Sequence, residues 1–174
     1  MFFEVFTTAR LKLRPLIQQD TRAIFEGYAR APQIMRYMTW RPHNAIGETE
    51  AFVARSIAAE AARTYAIVEH DAPDLCGVFT LRRPEAHRLG FGYVLAKPFW
   101  GRGYISEVLT TVADWALHQD GIWRIADICD VDNHASARVM EKAGFLRDGV
   151  LRRYRVRPNL STEPRDSYLY ARTR

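Results

Sequence analysis

The stretch FWGRGYISEVL, residues 99–109, sets two glycines around an arginine between a run of strand-like composition and a run of helical periodicity. The first turn of a helix presents unpaired N–H groups and the positive end of a dipole. Glycines just before it let an anion approach the backbone, a combination that suits a pyrophosphate. Taken alone, the GxG pair leaves a second reading open, a tight turn with no ligand. Two named phosphate motifs are absent: no third glycine completes a dinucleotide fingerprint, and no Gly-Lys-Ser/Thr follows. Asn133 and Ser136 open a second amphipathic stretch, where Asn133 has the chemistry of a helix N-cap. Ser136 shares a helical face with Val139, Met140 and Ala143, so its hydroxyl should point toward the interior or a cleft. Hydrolysis by Ser136 with His134 is disfavoured, because residues two apart on a helix point about 200° apart and there is no GxSxG turn. His43, His70, His87, His118 and His134 show no metal-ligand spacing, so no metal is expected. Cys76 and Cys129 have no CxxC partner and are expected as free, buried thiols.

These residues need elements to hold them. RLKLRPLI (10–17) alternates as a first strand ending near Pro15, and Asp20 then opens a helix. A second helix follows APQIMRYMTWRP, with Val53, Ile57 and Ala61 at four-residue spacing and Phe52 beside them. TYAIVEH, LCGVFTLR and RLGFGYVL are three successive strands with turn-forming residues between them. From Tyr104 the period changes to that of a helix, with Ile105, Val108, Leu109, Val112, Trp115 and Ala116 on one face. WRIADICD is a strand, HASARVMEKAGF a helix stopped by Gly144, and FLRDGVLRRY and RDSYLYART are two closing strands. A meander followed by strand-helix-strand alternation implies an α/β sheet of mixed direction.

Composition bounds the rest. A chain of 174 residues with 48% hydrophobic and 26% charged residues fits one domain with one well-buried core over residues 1–174. No apolar run reaches the roughly 18–20 residues of a membrane span, and the N-terminus has no signal-like pattern, so a cytoplasmic protein without membrane attachment is expected. A formal net charge of +5 favours an anionic ligand but is too diffuse for nucleic acid. In LRRYRVR (151–157), strand alternation would set Arg153, Arg155 and Arg157 on one face, to be solvated or to bind an anion.

GYVLAKPFWGRGYISEVL resembles the acyl-CoA-binding motif of the GNAT N-acetyltransferase superfamily. DNHASARVMEKAGF resembles a second signature, Asn-x-x-Ser…Glu-Lys-x-Gly-Phe, of the subgroup of ribosomal-protein-alanine N-acetyltransferases (the RimJ/RimL type). ARLKLRPLIQQDTRAIFEGYARAPQIMRYMTW and RDSYLYAR resemble that subgroup's opening and last strand, so the likeness covers nearly the whole chain. It implies a mixed, mostly antiparallel sheet of six to seven strands with flanking helices, and acyl-CoA in a splay between central strands. The CoA-binding residues it implies are Tyr93, Val94 and Leu95 on the fourth strand, then Trp100, Gly101, Arg102, Gly103, Tyr104, Ile105 and Ser106, and Asn133. Ile105 stands where Ala or Gly is common.

The implied activity is direct attack of a primary amine on the thioester of acetyl-CoA, with no metal. A backbone N–H near Val94 or Leu95 would polarise the carbonyl, and Ser136 would protonate the thiolate. The base is not legible: Gly90 stands where many relatives carry Glu, Glu107 is a candidate catalytic carboxylate or an anchor for its helix, and Glu85 and His87 lie in a nearby loop. A missing base suits an α-amine, whose pKa of about 7.7–8.0 lies far below lysine's 10.4, or another low-pKa amine, or a water relay. The acceptor expected is a protein or peptide N-terminus, walled by Trp40 with Arg41 at its edge. The alternatives are a small amine (amino acid, polyamine or antibiotic) and a noncatalytic acyl-CoA-binding module. A homodimer is compatible with this reading.

Overall fold

The strand-like runs assemble into one sheet. The computed structural model describes residues 2–174 and contains β1 (Phe6–Thr7), β2 (Leu11–Pro15), β3 (Ala62–Glu69), β4 (Ala72–Glu85), β5 (Arg88–Leu95), β6 (Arg124–Asp130), β7 (Leu146–Val156) and β8 (Pro164–Thr173). Their spatial order is β1-β2-β3-β4-β5-β6-β8-β7. Every neighbouring pair is antiparallel except β5 and β6. The mixed, mostly antiparallel α/β sheet expected from the sequence is present with eight strands. The additional one, β1, has two residues and is too short to show a period.

Alternation sorts the strand side chains between two helical layers. Tyr65, Ile67, Phe79 and Leu81 join the core under α4 (Tyr104–Leu117) and α5 (His134–Lys142). Ala66, Val78 and Val94 face the other layer, α1 (Thr21–Ile24), which continues as a π-helical turn over Phe25–Ala29, α2 (Pro32–Met35) and α3 (Ile46–Ala58). The apolar stripe of α4 behaves as its period demands: Val108, Leu109, Val112 and Ala116 have no exposed surface. Burying each Val or Leu there contributes roughly 1.5–3 kcal/mol, which seats the helix firmly.

Two local expectations are corrected. In α3 the buried residues are Thr49 and Val53; Ile57 is 50% exposed and Ala61 lies beyond the helix end, because only the middle turns of α3 lie on the sheet. The alternation of 151–157 is broken by a bulge, with Arg153 at φ 44° and a register shift between Leu151 and Arg155. Arg157 leaves the strand and is buried, while Arg155 stays exposed. As expected, Asp20 opens a helix, standing at the N-cap position of α1, although its side chain makes no cap bond there. Its carboxylate turns back from a 3-10 turn (Gln18–Asp20) to accept Arg14 Nη1 at 2.8 Å, Nη2 at 2.6 Å and the Ile17 N–H at 3.0 Å.

This knot fixes the exit of β2 toward the helices, and Asp20 has only 7% of its side chain exposed. Asp20→Ala should therefore lower unfolding free energy by about 3 kcal/mol, the low end for breaking a buried pair because Arg14 keeps some water. Urea unfolding checks this, and an unchanged midpoint would show that the pair stabilises nothing.

Candidate active site

The parallel pair β5–β6 is bonded at only two registers, Arg88 with Arg124 and Leu89 with Ile125. Continued, that register would set Gly90 beside Ala126 and then Phe91 beside Asp127. There the Asp127 carboxylate, not a β6 carbonyl, accepts the Phe91 N–H at 2.9 Å. Arg82 reaches across from β4 and donates to both Asp127 and the Phe91 carbonyl. Beyond this point the strands are unpaired and a cleft of about 690 Å³ opens beside them. The Arg82 side chain lies over two glycines: a Cβ on Gly92 would meet it at 3.3 Å, and one on Gly90 would lie 3.7 Å from both it and Asp127. Burial pushes the Asp127 carboxyl above its ordinary range despite the pull of Arg82 and the Phe91 and Ile128 N–H groups.

Along β5, Phe91 turns both backbone groups toward the opening, whereas the Ala96 N–H bonds Cys76 of β4. By strand alternation the N–H groups of Tyr93 and Leu95 also face the opening, and that of Val94 faces β4. The side chain of Tyr93 spans the gap, its phenol 2.7 Å from the Ser136 hydroxyl on α5. Burial raises the Tyr93 pKa well above the ordinary phenol value, so the pair is neutral. Asn133 is the N-cap of α5, accepting the Ser136 N–H at 3.2 Å, and both residues line the cleft.

At the far end of β5, Gly101 (φ 75°) and Gly103 (φ 76°) turn the chain into α4, with Gly103 as N-cap. Both positions lie in the left-handed region that costs side-chain-bearing residues roughly 1–2 kcal/mol, and no atom lies within 4 Å of where a Gly101 Cβ would be. The turn is pinned on both sides. Trp100 donates its indole N–H to the Leu95 carbonyl at 2.9 Å, and Arg10 donates to the Arg102 carbonyl at 3.0 Å. The Arg102 guanidinium lies over the Phe99 and Tyr104 rings, and the Tyr104 phenol bonds Glu69. Ile105 is 4% exposed in the core under α4 and does not crowd the turn. The Ser106 hydroxyl leans to the Val139 carbonyl of α5 at 3.4 Å.

Glu107 points to the β1–β2 turn. It accepts the Thr8 hydroxyl at 2.5 Å, the Arg10 N–H at 2.9 Å and the Arg10 guanidinium at 2.6 Å. Burial would raise its pKa, but these bonds outweigh that and hold it below the carboxylate range. Its oxygens are committed away from the cleft. Glu85 and His87 pair with each other at 3.6 Å in the exposed β4–β5 turn, also outside the cleft lining.

Residues 10–146 match the family model described as acetyltransferase (GNAT) domain. The chain belongs to the GNAT acetyltransferase family. It is 30% identical over 158 residues to the uncharacterised N-acetyltransferase YoaA of Bacillus subtilis, covering 87% of this chain and 88% of that one. The spermidine N(1)-acetyltransferase of Escherichia coli K12 is 24% identical over 142 residues, 81% of this chain and 75% of the relative. Among solved structures, a RimL ribosomal L7/L12 α-N-protein acetyltransferase in complex with coenzyme A superposes with a TM-score of 0.85 at 23% identity, over 98% of both chains, a likeness of fold.

In this GNAT chain the other wall of the cleft comes from the loop after α2. Trp40 stacks on Phe52 with ring centroids 6.3 Å apart, and His43 beside them holds Thr49 at 2.7 Å. The β7–β8 turn clamps this loop: Asn159 donates to the carbonyls of Met35 and Trp40 at 2.6 and 2.8 Å, and Arg157 donates to that of Tyr37 at 2.9 Å. Arg41, expected beside Trp40, lines a separate groove with Pro32 and Leu160 and not the cleft. Sequence reading missed Asp127 and Arg82, and it placed Arg157 on a regular strand face rather than in the cleft wall. Asp127 is an acid in an otherwise apolar strand pattern, a signal that was present; the other two are brought in by the fold. Among the described residues no group of three His, Cys, Asp or Glu side chains could hold a metal, and no helix is long and apolar enough to cross a membrane.

Gly103→Val should cut acetyl-CoA affinity at least tenfold, since a side chain at φ 76° either distorts the N-cap or stands over the N–H groups of the first turn. Calorimetric titration of the folded variant checks this. Unchanged affinity would detach the turn from ligand binding.

Proposed function

We propose that the chain is an acetyl-CoA-dependent N-acetyltransferase acting on an α-amine, foremost the N-terminus of a protein or peptide, by direct attack on the thioester. The observation that carries this reading is the Tyr93–Ser136 hydrogen bond spanning the gap between β5 and α5, in a cleft that opens where β5 and β6 part. The unpaired edge of β5 accommodates a pantetheine-like arm through the backbone groups of Tyr93 and Leu95. The pyrophosphate fits the left-handed turn, where Gly101, Gly103 and the first N–H groups of α4 leave room and donors.

Each residue then has one task. The Leu95 N–H stabilises charge growing on the thioester oxygen. As the amine nitrogen bonds to the acyl carbon and the carbon–sulfur bond breaks, Ser136 gives its proton to the sulfur, and Tyr93 stands behind it to restore that proton. The proton lost from the amine goes to Asp127, the cleft carboxylate that burial makes a better acceptor, and leaves it to solvent, from which Tyr93 regains the proton it passed to Ser136. Arg82 is a positioning residue for Asp127, and Glu107 positions the start of α4 through Thr8 and Arg10. Trp40 and Phe52 wall the acceptor.

An α-amine matches this machinery because it is about half deprotonated near pH 8, so a single carboxylate suffices. The RimL-like structural neighbour acts on such an amine, whereas the spermidine N(1)-acetyltransferase relative acts on a polyamine. The cleft favours the former: its only acids, Asp127 and Asp130, are both paired with arginines.

Ser136→Ala and Tyr93→Phe should each lower kcat by about 10²-fold while acetyl-CoA affinity changes less than about threefold. Asp127→Asn should do the same, and His43→Gln should leave kcat within about threefold. Single-turnover kinetics on a peptide with a free N-terminus separates these effects. Full turnover in Ser136→Ala would remove it from the chemistry, and transfer to N-terminally blocked peptides would reject the α-amine.

A further inference from the structure

The cleft carries a charge that the thioester chemistry does not use. Arg55, Arg82, Arg155 and Arg157 line it, against Asp127 and Asp130. Arg82 takes Asp127, and Arg165 takes Asp130 through Nε at 2.7 Å and Nη2 at 3.0 Å. Among the described residues Arg55, Arg155 and Arg157 have no carboxylate partner.

Arg157 is the informative one. It is 7% exposed, its Nη1 holds the Tyr37 carbonyl, and its Nε is buried without any partner. A buried cation with an idle donor edge is costly unless an anion meets it, and a guanidinium fork matches a carboxylate. Asp130 and Asp127 attract it from nearby, but their oxygens are bonded to Arg165 and Arg82, so no carboxylate meets that edge. The Arg157 backbone is also fixed: its carbonyl accepts the N–H groups of Leu160 and Ser161 in the same turn that clamps Tyr37 and Trp40. A rigid arginine without a bonded carboxylate thus stands in the wall that faces the acceptor.

We infer that the acceptor carries a carboxylate, which Arg157 binds with Arg155 at the cleft rim. The inference rests on the reading of this cleft as the acceptor site of an N-acetyltransferase and specifies the substrate class. The carboxylate comes either from an acidic residue close to a peptide N-terminus or from a free amino acid. A polyamine would meet three arginines without an ion-pair partner and be repelled.

The test is a charge series on the wild-type protein with saturating acetyl-CoA. Amidated hexapeptides share one N-terminal residue, followed by acidic, neutral or basic residues, and are run beside free aspartate, free glutamate and spermidine. The acidic peptide should exceed the neutral one in kcat/KM by about tenfold, a margin expected for a charge-assisted bond and reduced by added salt. Acetylation of the free amino acids but not the peptides would keep the carboxylate and reject the N-terminal reading. Equal rates across the peptides would keep the N-terminal reading and overturn the carboxylate, and preference for the basic peptide or spermidine would also overturn it. Arg157→Gln and, separately, Arg155→Gln should flatten the preference, with Arg157→Lys retaining part of it. Acetyl-CoA affinity measured calorimetrically should stay within about twofold in each. An equally large loss of that affinity would assign the arginines to the CoA phosphates and overturn the inference. If Arg157→Gln does not fold, Arg155→Gln and the wild-type series decide.

Discussion

One hydrogen bond decides the shape of the molecule. By taking the Phe91 N–H, the Asp127 carboxylate occupies the place of the backbone carbonyl that would have continued the β5–β6 ladder, and Arg82 neutralises it from the β4 side. A sheet that zipped past this point would have no room for a ligand between its central strands. Because the ladder stops after two registers, the edge of β5 keeps free backbone groups, α5 comes within reach of Tyr93, and α4 starts where β5 ends. The same carboxylate that holds the strands apart also lines the resulting cleft. Structural role and proposed chemical role therefore meet on one side chain, and Gly92, where a Cβ would crowd the guanidinium at 3.3 Å, leaves Arg82 room to lie over the strand.

The turn before α4 depends on a second, remote constraint. Glu107 collects Thr8 and Arg10, and Arg10 in turn holds the Arg102 carbonyl and lies 4.8 Å over the Tyr104 ring. The N-terminal strands thereby brace a left-handed turn nearly a hundred residues away. Since the bonds depress the Glu107 pKa, their stabilisation is present above the ordinary Glu pKa and is lost as pH falls through the lower folded value. The bracing is thus complete at neutral pH.

Much of this was legible in the residues. Periodicity located seven strands and the face of α4, and local chemistry located the turn at 101–103 and the Asn133 cap, because such features depend on neighbours a few positions apart. The family followed from two ordered motifs. What failed depended on distance in three dimensions. Gly90 reads as a missing carboxylate only until β6 places Asp127 beside it, 37 positions later. Trp40 and Arg41 are adjacent in sequence yet line different hollows, with Asn159 of the distant β7–β8 turn holding the Trp40 carbonyl. The arginines of 151–157 seemed a regular strand face until the bulge at Arg153 sent Arg157 inward.

The central claim is that the unpaired edge of β5 and the first turn of α4 together receive acetyl-CoA. Amide ¹⁵N–¹H shifts during titration with acetyl-CoA test it most directly. The account predicts that Tyr93, Leu95 and residues 103–106 shift together along one saturating curve, while the Val94 amide, turned to β4, moves far less. Shifts confined to another face, or a Val94 amide that moves with a silent Leu95, would contradict it.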